Sequence, residues 1–560
     1  MDTRIHLFQI VEYSLLYGEK HDLDDVKALL KDIPTLTLIY YISAINLLLY
    51  LNDKDIDRQK SILQELFVQM NPSYRKDLLE RIKRAEEKTH NTFLFFWNYS
   101  NALFYDTIFK NHNTLSYRDL DEDETKRFFD AYLIINEIAM NELAIEEKDF
   151  QDALKNTQLE DFTIAKFLYQ RDYQSNISFT NQITKGYKFF KYLENHPKYG
   201  SKIPAYYKSI GVENYNDIVV TISSIMIESN AANGSLIKKN IFTIYPDEQT
   251  LINKSYLDTL CINEFIGAES YIPIGRNRCL YKISNDQYFI LDINNVINQL
   301  YKSQIFKINT FLNDKHFLET KAKEFSEEIL LPDILEKTFK YCSKLSKNCS
   351  RKEGELCDYY IRNNNNVCII EFKDVMINDN VKTSKQVETI FKALDLKFIK
   401  NQKGKPKGIS QLFNAIIDID ENGVRFDNCL TNNITLYPVI IYTDHSFGFD
   451  GINYHYNKVF SEALERYKIK KLACIKDVIF ISLDYFEKHA DFYSDGTTNF
   501  FFILDEYLNH IQRDEYKMTT FEQFSILYMR DNIYATPEDF QKTLKEITDE
   551  IKSRPPIIMN

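Results

Sequence analysis

Glu353 to Asp374, EGELCDYYIRNNNNVCIIEFKD, is the segment that leaves this chain the fewest choices. Two runs rich in β-branched and aromatic residues flank four consecutive asparagines, a residue type suited to turns, and the pattern predicts a β-hairpin. If Arg362 pairs with Val367 across the Asn363–Asn366 loop, Asp358 falls directly opposite Glu371, and their side chains share one face of the sheet. Opposed residues in an antiparallel pair have Cβ atoms roughly 4.5–5.5 Å apart, and like charges so placed repel. A positive group is therefore expected between them. Lys373 falls on the same face, because side chains two apart on a strand point the same way. Val367, Cys368, Ile369 and Ile370 supply apolar groups to both faces, as a central covered strand requires. Charge at the end of such a strand is costly, which marks it as a candidate site.

The rest of the chain sets the context. At 560 residues it is too long for one ordinary core, so two or more domains are expected. Gly (14) and Pro (12) are scarce, which points to long helices with few tight turns. A net charge of -12 argues against a protein that coats nucleic acid non-specifically, so any such contact has to be local. The eight cysteines never form CxxC and mostly lie among apolar neighbours, reading as small core residues in a reducing cytoplasm and not as a zinc site. The N-terminus shows no secretion signal. LTLIYYISAINLLLYL, Leu36 to Leu51, is uncharged but short of a membrane span and broken by polar residues, and is read as a buried core helix.

Up to about residue 235 the apolar spacing is helical, as in Ile5-Phe8-Ile10-Tyr13, Leu63-Leu66-Phe67-Met70 and Phe128-Tyr132-Ile135-Ile138. Ser116 and Asp119, followed by the acidic run to Glu124, predict a capped helix start. Arg278–Ile283 and Tyr288–Leu291 around Ser284-Asn285-Asp286 predict a small hairpin within about 270–295. Farther on, helices are expected at about 315–341, from Ile409, at 455–468, 519–531 and 537–552, the last capped by Thr536 with Pro537 at its start. Strands are expected at 355–362, 367–373, 436–443 and 477–483. The fold class is thus an α-helical N-terminal domain, 1–310, joined to a C-terminal α/β domain, 311–560.

Asp358, Glu371 and Lys373 have the residue types of a phosphodiester-cleaving site. Hard carboxylate oxygens suit Mg²⁺ or Mn²⁺, and an adjacent ammonium can hold the attacking water. A lone ExK triplet occurs by chance in any chain rich in Lys and Glu. Here it follows an apolar strand with an Asp in matching register, and the segment resembles the PD-(D/E)xK, or restriction-endonuclease-like, nuclease superfamily over about residues 315–485. Asp358 matches the motif's Asp and Glu371-Phe372-Lys373 its ExK, with Cys357 where the motif's name puts Pro. The resemblance implies an αβββαβ core and a Mg²⁺-dependent (or Mn²⁺-dependent) endonuclease. It also implies a Glu from the preceding helix in the metal shell, for which KAKEFSEEILLPDIL offers Glu324, Glu327 and Glu328, with Glu328 favoured, and a catalytic Gln in the following helix, here Gln411.

Eight lysines between Lys382 and Lys407 make a local basic segment in an acidic protein, and Lys382, Lys385, Lys403, Lys405 and Lys407 are the candidate contacts to a nucleic-acid backbone. GKPKGIS, Gly404 to Ser410, lacks the lysine and spacing of a phosphate loop, so an NTPase is excluded. No HExxH or GxSxG occurs. The expectation is a metal-dependent nuclease acting on DNA ahead of RNA. By analogy, it is a bacterial antiphage defence effector whose helical region senses a trigger, holds a protein partner or forms homo-oligomers, with no membrane role. The alternatives are an RNase of the same fold, or a non-catalytic interaction protein with a degenerate nuclease domain.

Overall fold

The computed structural model describes residues 8–50, 56–142, 161, 164–165, 168, 177–232, 240–245, 252–351, 354–384, 386–528 and 537–553. By internal packing the chain divides into two units: Met1–Glu142 with Asn176–Lys315 and Thr543–Asn560, and Leu143–Ser175 with His316–Lys542. The two units part at 315/316.

The first unit is mainly helical. Thr35–Leu49 is buried along its whole length except Leu36, which makes it the core helix its apolar run predicts. Among the described residues no single helix is long and apolar enough to cross a membrane. Ile56–Gln69 and Glu122–Glu142 carry the predicted stripes. Phe8–Ile10, read as helical, is a strand instead, parallel to Thr92–Leu94; Ile5 lies outside the described residues. The cap of Glu122–Glu142 is Asp121, not Ser116. Its carboxylate accepts the Glu124 N–H (2.8 Å), and the Glu124 side chain accepts the Asp121 N–H (3.2 Å). The predicted hairpin is present as Leu280–Lys282 against Gln287–Ile290, with Ile241–Thr243 added as a third strand.

The second unit is built on a mixed sheet. Its strands are β1 (Lys344–Arg351), β2 (Gly354–Asn363), β3 (Asn366–Lys373), β4 (Thr435–Tyr442), β5 (Cys474–Ile475) and β6 (Ile479–Ser482). β1, β2 and β3 run antiparallel in sequence order; β4 lies parallel to β3 and carries β5 and β6 in parallel along its other edge. Pro438 explains the split of that edge. It has no N–H to donate, and it stands between the β4 residues paired with β5 (Thr435, Leu436) and those paired with β6 (Val439–Tyr442).

One face of this sheet, including Tyr360, Val367, Ile369, Leu436 and Ile440, packs with apolar residues of the helices Val387–Phe398, Ile409–Asn422 and Ile452–Tyr467 into a single core. A continuous helical segment precedes β1: Phe317–Thr320, then a π-helical stretch Lys321–Leu330, then Leu331–Thr338. Pro332 lacks the N–H that a tighter ladder would use, which favours the wider turn ahead of it. The helices Phe521–Tyr528 and Glu538–Lys552 match those expected near the C-terminus, while the proposed cap Thr536 lies outside the described residues.

Asp420, near the end of Ile409–Asn422, shows how the fold holds a loop in register. It is fully buried and accepts the N–H groups of Lys470 (2.9 Å), Lys471 (2.7 Å) and Leu472 (2.9 Å) ahead of β5. Burial raises its pKa, but these bonds outweigh it and hold the carboxyl below the usual range. Asp420→Ala is expected to lower stability by about 2 kcal/mol in urea denaturation at pH 7. Because the folded pKa is depressed, the difference from wild type should disappear as pH falls through it.

Candidate active site

The site starts from the asparagine turn. Asn364 adopts φ +55°, a left-handed conformation that Asn tolerates, and Asn363 pairs with Asn366. This fixes the register, with Arg362 opposite Val367 and Tyr359 opposite Ile370. The paired ladder ends there, one rung short of Asp358 and Glu371. In its place Asp358 Oδ2 accepts the backbone N–H of Phe372 at 2.6 Å. The acidic side chain thus takes up an amide at the point where the two strands part.

Glu371 is 2 % exposed. Lys373 Nζ donates to Glu371 Oε2 at 3.1 Å and to Gln411 Oε1 at 3.0 Å. Gln411 Oε1 also accepts the Gly408 N–H at 2.9 Å, which ties the ammonium to the first turn of Ile409–Asn422. Glu371, Lys373 and Gln411 are thereby joined by hydrogen bonds, and Asp358 is bonded to the Phe372 amide between Glu371 and Lys373 in the chain.

The electrostatics are those of an under-neutralised carboxylate cluster. Burial, and then Asp358, lift the Glu371 carboxyl to about 8, against the opposing charge and hydrogen bond of Lys373. Burial also raises Asp358, opposed by Lys373, the Phe372 bond and Lys407. Glu327 rises to about 7 through burial and the nearby Asp358. Glu355 is raised for the same two reasons.

In the preceding helix the favoured Glu328 accepts from Asn348 Nδ2 (3.2 Å), lies 3.7 Å from Lys347 Nζ on β1, and is exposed, with its charge acting on Glu355. Glu324 and Glu327 are exposed as well, so exposure does not separate the three. Glu327 is the one whose carboxyl lies within electrostatic reach of Asp358 and Lys373. All three lie on the π-helical stretch Lys321–Leu330.

The lysines divide. Lys403 and Lys405 are exposed on a tight turn closed by a bridge between Lys400 and Pro406, where Asn401 Oδ1 accepts both their N–H groups at 3.0 Å. Lys407, on the same turn, brings its charge close enough to act on Asp358. Lys382 is 7 % exposed. Lys385 lies outside the described residues. Gly408, which ends the turn, has φ +46°; a Cβ there would come within 3.0 Å of the Phe398 backbone, so the turn closes tightly on Val387–Phe398.

Sequence reasoning missed Asp374. Its carboxylate accepts from Lys321 Nζ (2.7 Å), Ser326 Oγ (2.7 Å) and Thr443 Oγ1 (2.6 Å). The one available signal was an Asp placed directly after the ExK lysine.

No family model, curated protein or solved structure matches this chain. Its function has to be argued from the site alone. Among the described residues no three His, Cys, Asp or Glu side chains are gathered closely enough to hold a metal ion by themselves. What they do form is a cluster of raised carboxyls around one ammonium, with one oxygen of Asp358 bonded to an amide and one oxygen of Glu371 to Lys373.

Proposed function

We propose that the second unit is a Mg²⁺- or Mn²⁺-dependent nuclease of the PD-(D/E)xK type, acting on DNA ahead of RNA, and that the helical first unit serves a bacterial defence effector as sensor or partner-binding region. The observation that carries this reading is Lys373 Nζ, held between Glu371 and Gln411 on the face that also bears Asp358. Helix, three antiparallel strands, helices and a parallel strand, in that order, agree with the core such a nuclease needs.

The donor set fits the cation. Mg²⁺ keeps several waters and takes one or two protein carboxylates plus substrate oxygens, so it does not need a complete protein cage. Asp358 and Glu371 would hold it, each with one oxygen bonded and one remaining, and Glu327 would complete the acidic side. Burial first, and for Glu327 and Glu371 the nearby Asp358, raise these carboxyls, and a bound cation would oppose both effects. When bound, such an ion neutralises charge on the phosphate and acidifies a water.

The chain's own groups do the rest. Lys373 orients the attacking water or a phosphate oxygen through its ammonium. Gln411 fixes that ammonium through Oε1 and keeps its own N–H groups as donors. Lys403 and Lys405 hold the backbone of the nucleic acid outside the cluster, and Lys407 lies between the two regions.

Purified protein incubated with plasmid, linear duplex or RNA should cleave with Mg²⁺ or Mn²⁺ and fall silent in EDTA. Cleavage that survives EDTA, or that Asp358→Ala leaves at the wild-type rate, sinks the proposal; a product from RNA alone moves the substrate to RNA. Binding should depend on the loop. Lys403→Ala combined with Lys405→Ala is expected to reduce the slope of log affinity against log salt by about two, with the rate at saturating substrate unchanged. An unaltered slope would remove these lysines from the interface.

A further inference from the structure

Successive side chains of a strand point to opposite faces, so Lys373 and Asp374 diverge at the end of β3. Lys373 turns toward Gln411, and Asp374 toward the helical segment that precedes β1. There the carboxylate is enclosed: its side chain is 12 % exposed and that of Lys321 is 7 % exposed. Lys321 Nζ and Ser326 Oγ both reach Oδ2 at 2.7 Å, while Thr443 Oγ1 takes Oδ1 at 2.6 Å. Thr443 also donates its N–H to the Lys373 carbonyl at 3.3 Å. One carboxylate thereby joins the end of β3, the exit of β4 and the π-helical turn in which Ser326 directly precedes Glu327.

We propose that Asp374 is a positioning residue for the hydrolytic site, fixing the turn that bears Glu327 and the strand end that bears Lys373 so that both meet Asp358. The inference rests on reading that site as a metal-dependent nuclease. Buried ion pairs are a weak source of net stability, since desolvation offsets much of their attraction. What this one supplies is a defined geometry among three elements. Burial pushes the Asp374 carboxyl up, but Lys321 and the two hydroxyls outweigh it and keep the group ionised. The junction is therefore in its bonded form at neutral pH. Groups that hold metal ligands in orientation typically change metal affinity or activity by about 10- to 100-fold when removed, and Asp374 acts on Glu327 and Lys373 through the backbone of their chain neighbours.

The test uses the full chain with Asp374→Asn, Ser326→Ala and Thr443→Val. Four quantities are measured: melting temperature, Mn²⁺ affinity by calorimetry, DNA affinity in EDTA, and the single-turnover rate at saturating Mn²⁺. For Asp374→Asn we expect Mn²⁺ affinity and rate each to fall about 10- to 100-fold while DNA affinity in EDTA holds. Each hydroxyl variant, which deletes one bond and keeps the carboxylate, should show the same pattern at about 3- to 10-fold, and carries the test if Asp374→Asn does not fold. Folded variants that bind Mn²⁺ and cleave like wild type overturn the positioning role and leave the nuclease reading intact. Equal losses in DNA affinity, Mn²⁺ affinity and rate also overturn it, because they indicate general loosening. Wild type that neither binds Mn²⁺ nor cleaves overturns the nuclease reading and the positioning role together.

Discussion

Glu371→Gln is expected to abolish cleavage, by about 1,000-fold or more, while making the metal-free protein more stable above pH 8. The two effects have one origin. Glu371 is buried at 2 % exposure, faces Asp358, Glu355 and the ammonium of Lys373, and its carboxyl is lifted to about 8. In the unfolded chain the same group titrates near 4.5. A folded pKa above the unfolded one means that the native state holds the proton more tightly. The stability this contributes is complete below about 4.5 and is lost as pH rises through 8. Gln reproduces the protonated shape without the charge, and its amide oxygen can still accept from Lys373. At pH 5 the two proteins should unfold alike. At pH 8.5 the variant should lead by on the order of a few kcal/mol, less whatever Lys373 loses when its acidic partner turns neutral. Adding Mn²⁺ should reverse the order, because only wild type keeps the ligand. Urea denaturation at the two pH values, with and without Mn²⁺, measures all of this. A variant less stable than wild type at pH 8.5 without metal would show that Glu371 is not under the strain described, and unchanged cleavage would remove it from the chemistry.

How much of this could be read from the sequence depended on how local the determining physics was. The hairpin was legible because four asparagines force a turn and the two-residue period of a strand then leaves no freedom in which residues face each other. Gln411 came from the resemblance alone; the helix that carries it buries Leu412, Ala415 and Ile416. Glu324, Glu327 and Glu328 stand within five residues on one π-helical stretch, and nothing local in the sequence tells which of them acts on Asp358. Strand β1 was not foreseen: KLSKNCSR has little apolar alternation, as suits a strand that ends the sheet, with β2 beside it. Counting lysines along the chain did not distinguish Lys382, which is 7 % exposed, from the exposed Lys403 and Lys405. Asp374 and Lys321 are 53 residues apart, and nothing near either one announces the other. Their pairing depends on the tertiary arrangement.

Lys373→Met should give the opposite stability result with the same loss of function. The ammonium is the cation hydrogen-bonded to Glu371, and its charge also lowers the Asp358, Glu327 and Glu355 carboxyls. Met keeps the length of the stem but leaves two buried carboxylates facing each other. Removing one partner of a buried pair leaves the other charge with its desolvation cost and without its attraction. Here the cost is held to about 1–2 kcal/mol, because Glu371, lifted to about 8 even beside the ammonium, takes up a proton when the ammonium is gone. That cost should appear at pH 8.5 and shrink at pH 6, where the carboxyls take up protons instead. It should also shrink with Mn²⁺, which would supply the missing positive charge, so Mn²⁺ binding at pH 8.5 is expected to persist. Cleavage should not recover: a cation between the carboxylates does not replace a donor directed at the attacking water, and losing one such donor costs roughly 100- to 1,000-fold. Calorimetric Mn²⁺ titration beside single-turnover cleavage separates the two roles. If Lys373→Met loses Mn²⁺ binding along with activity, the ammonium serves only to assemble the carboxylates. If it cleaves at the wild-type rate, the lysine has no part in the reaction.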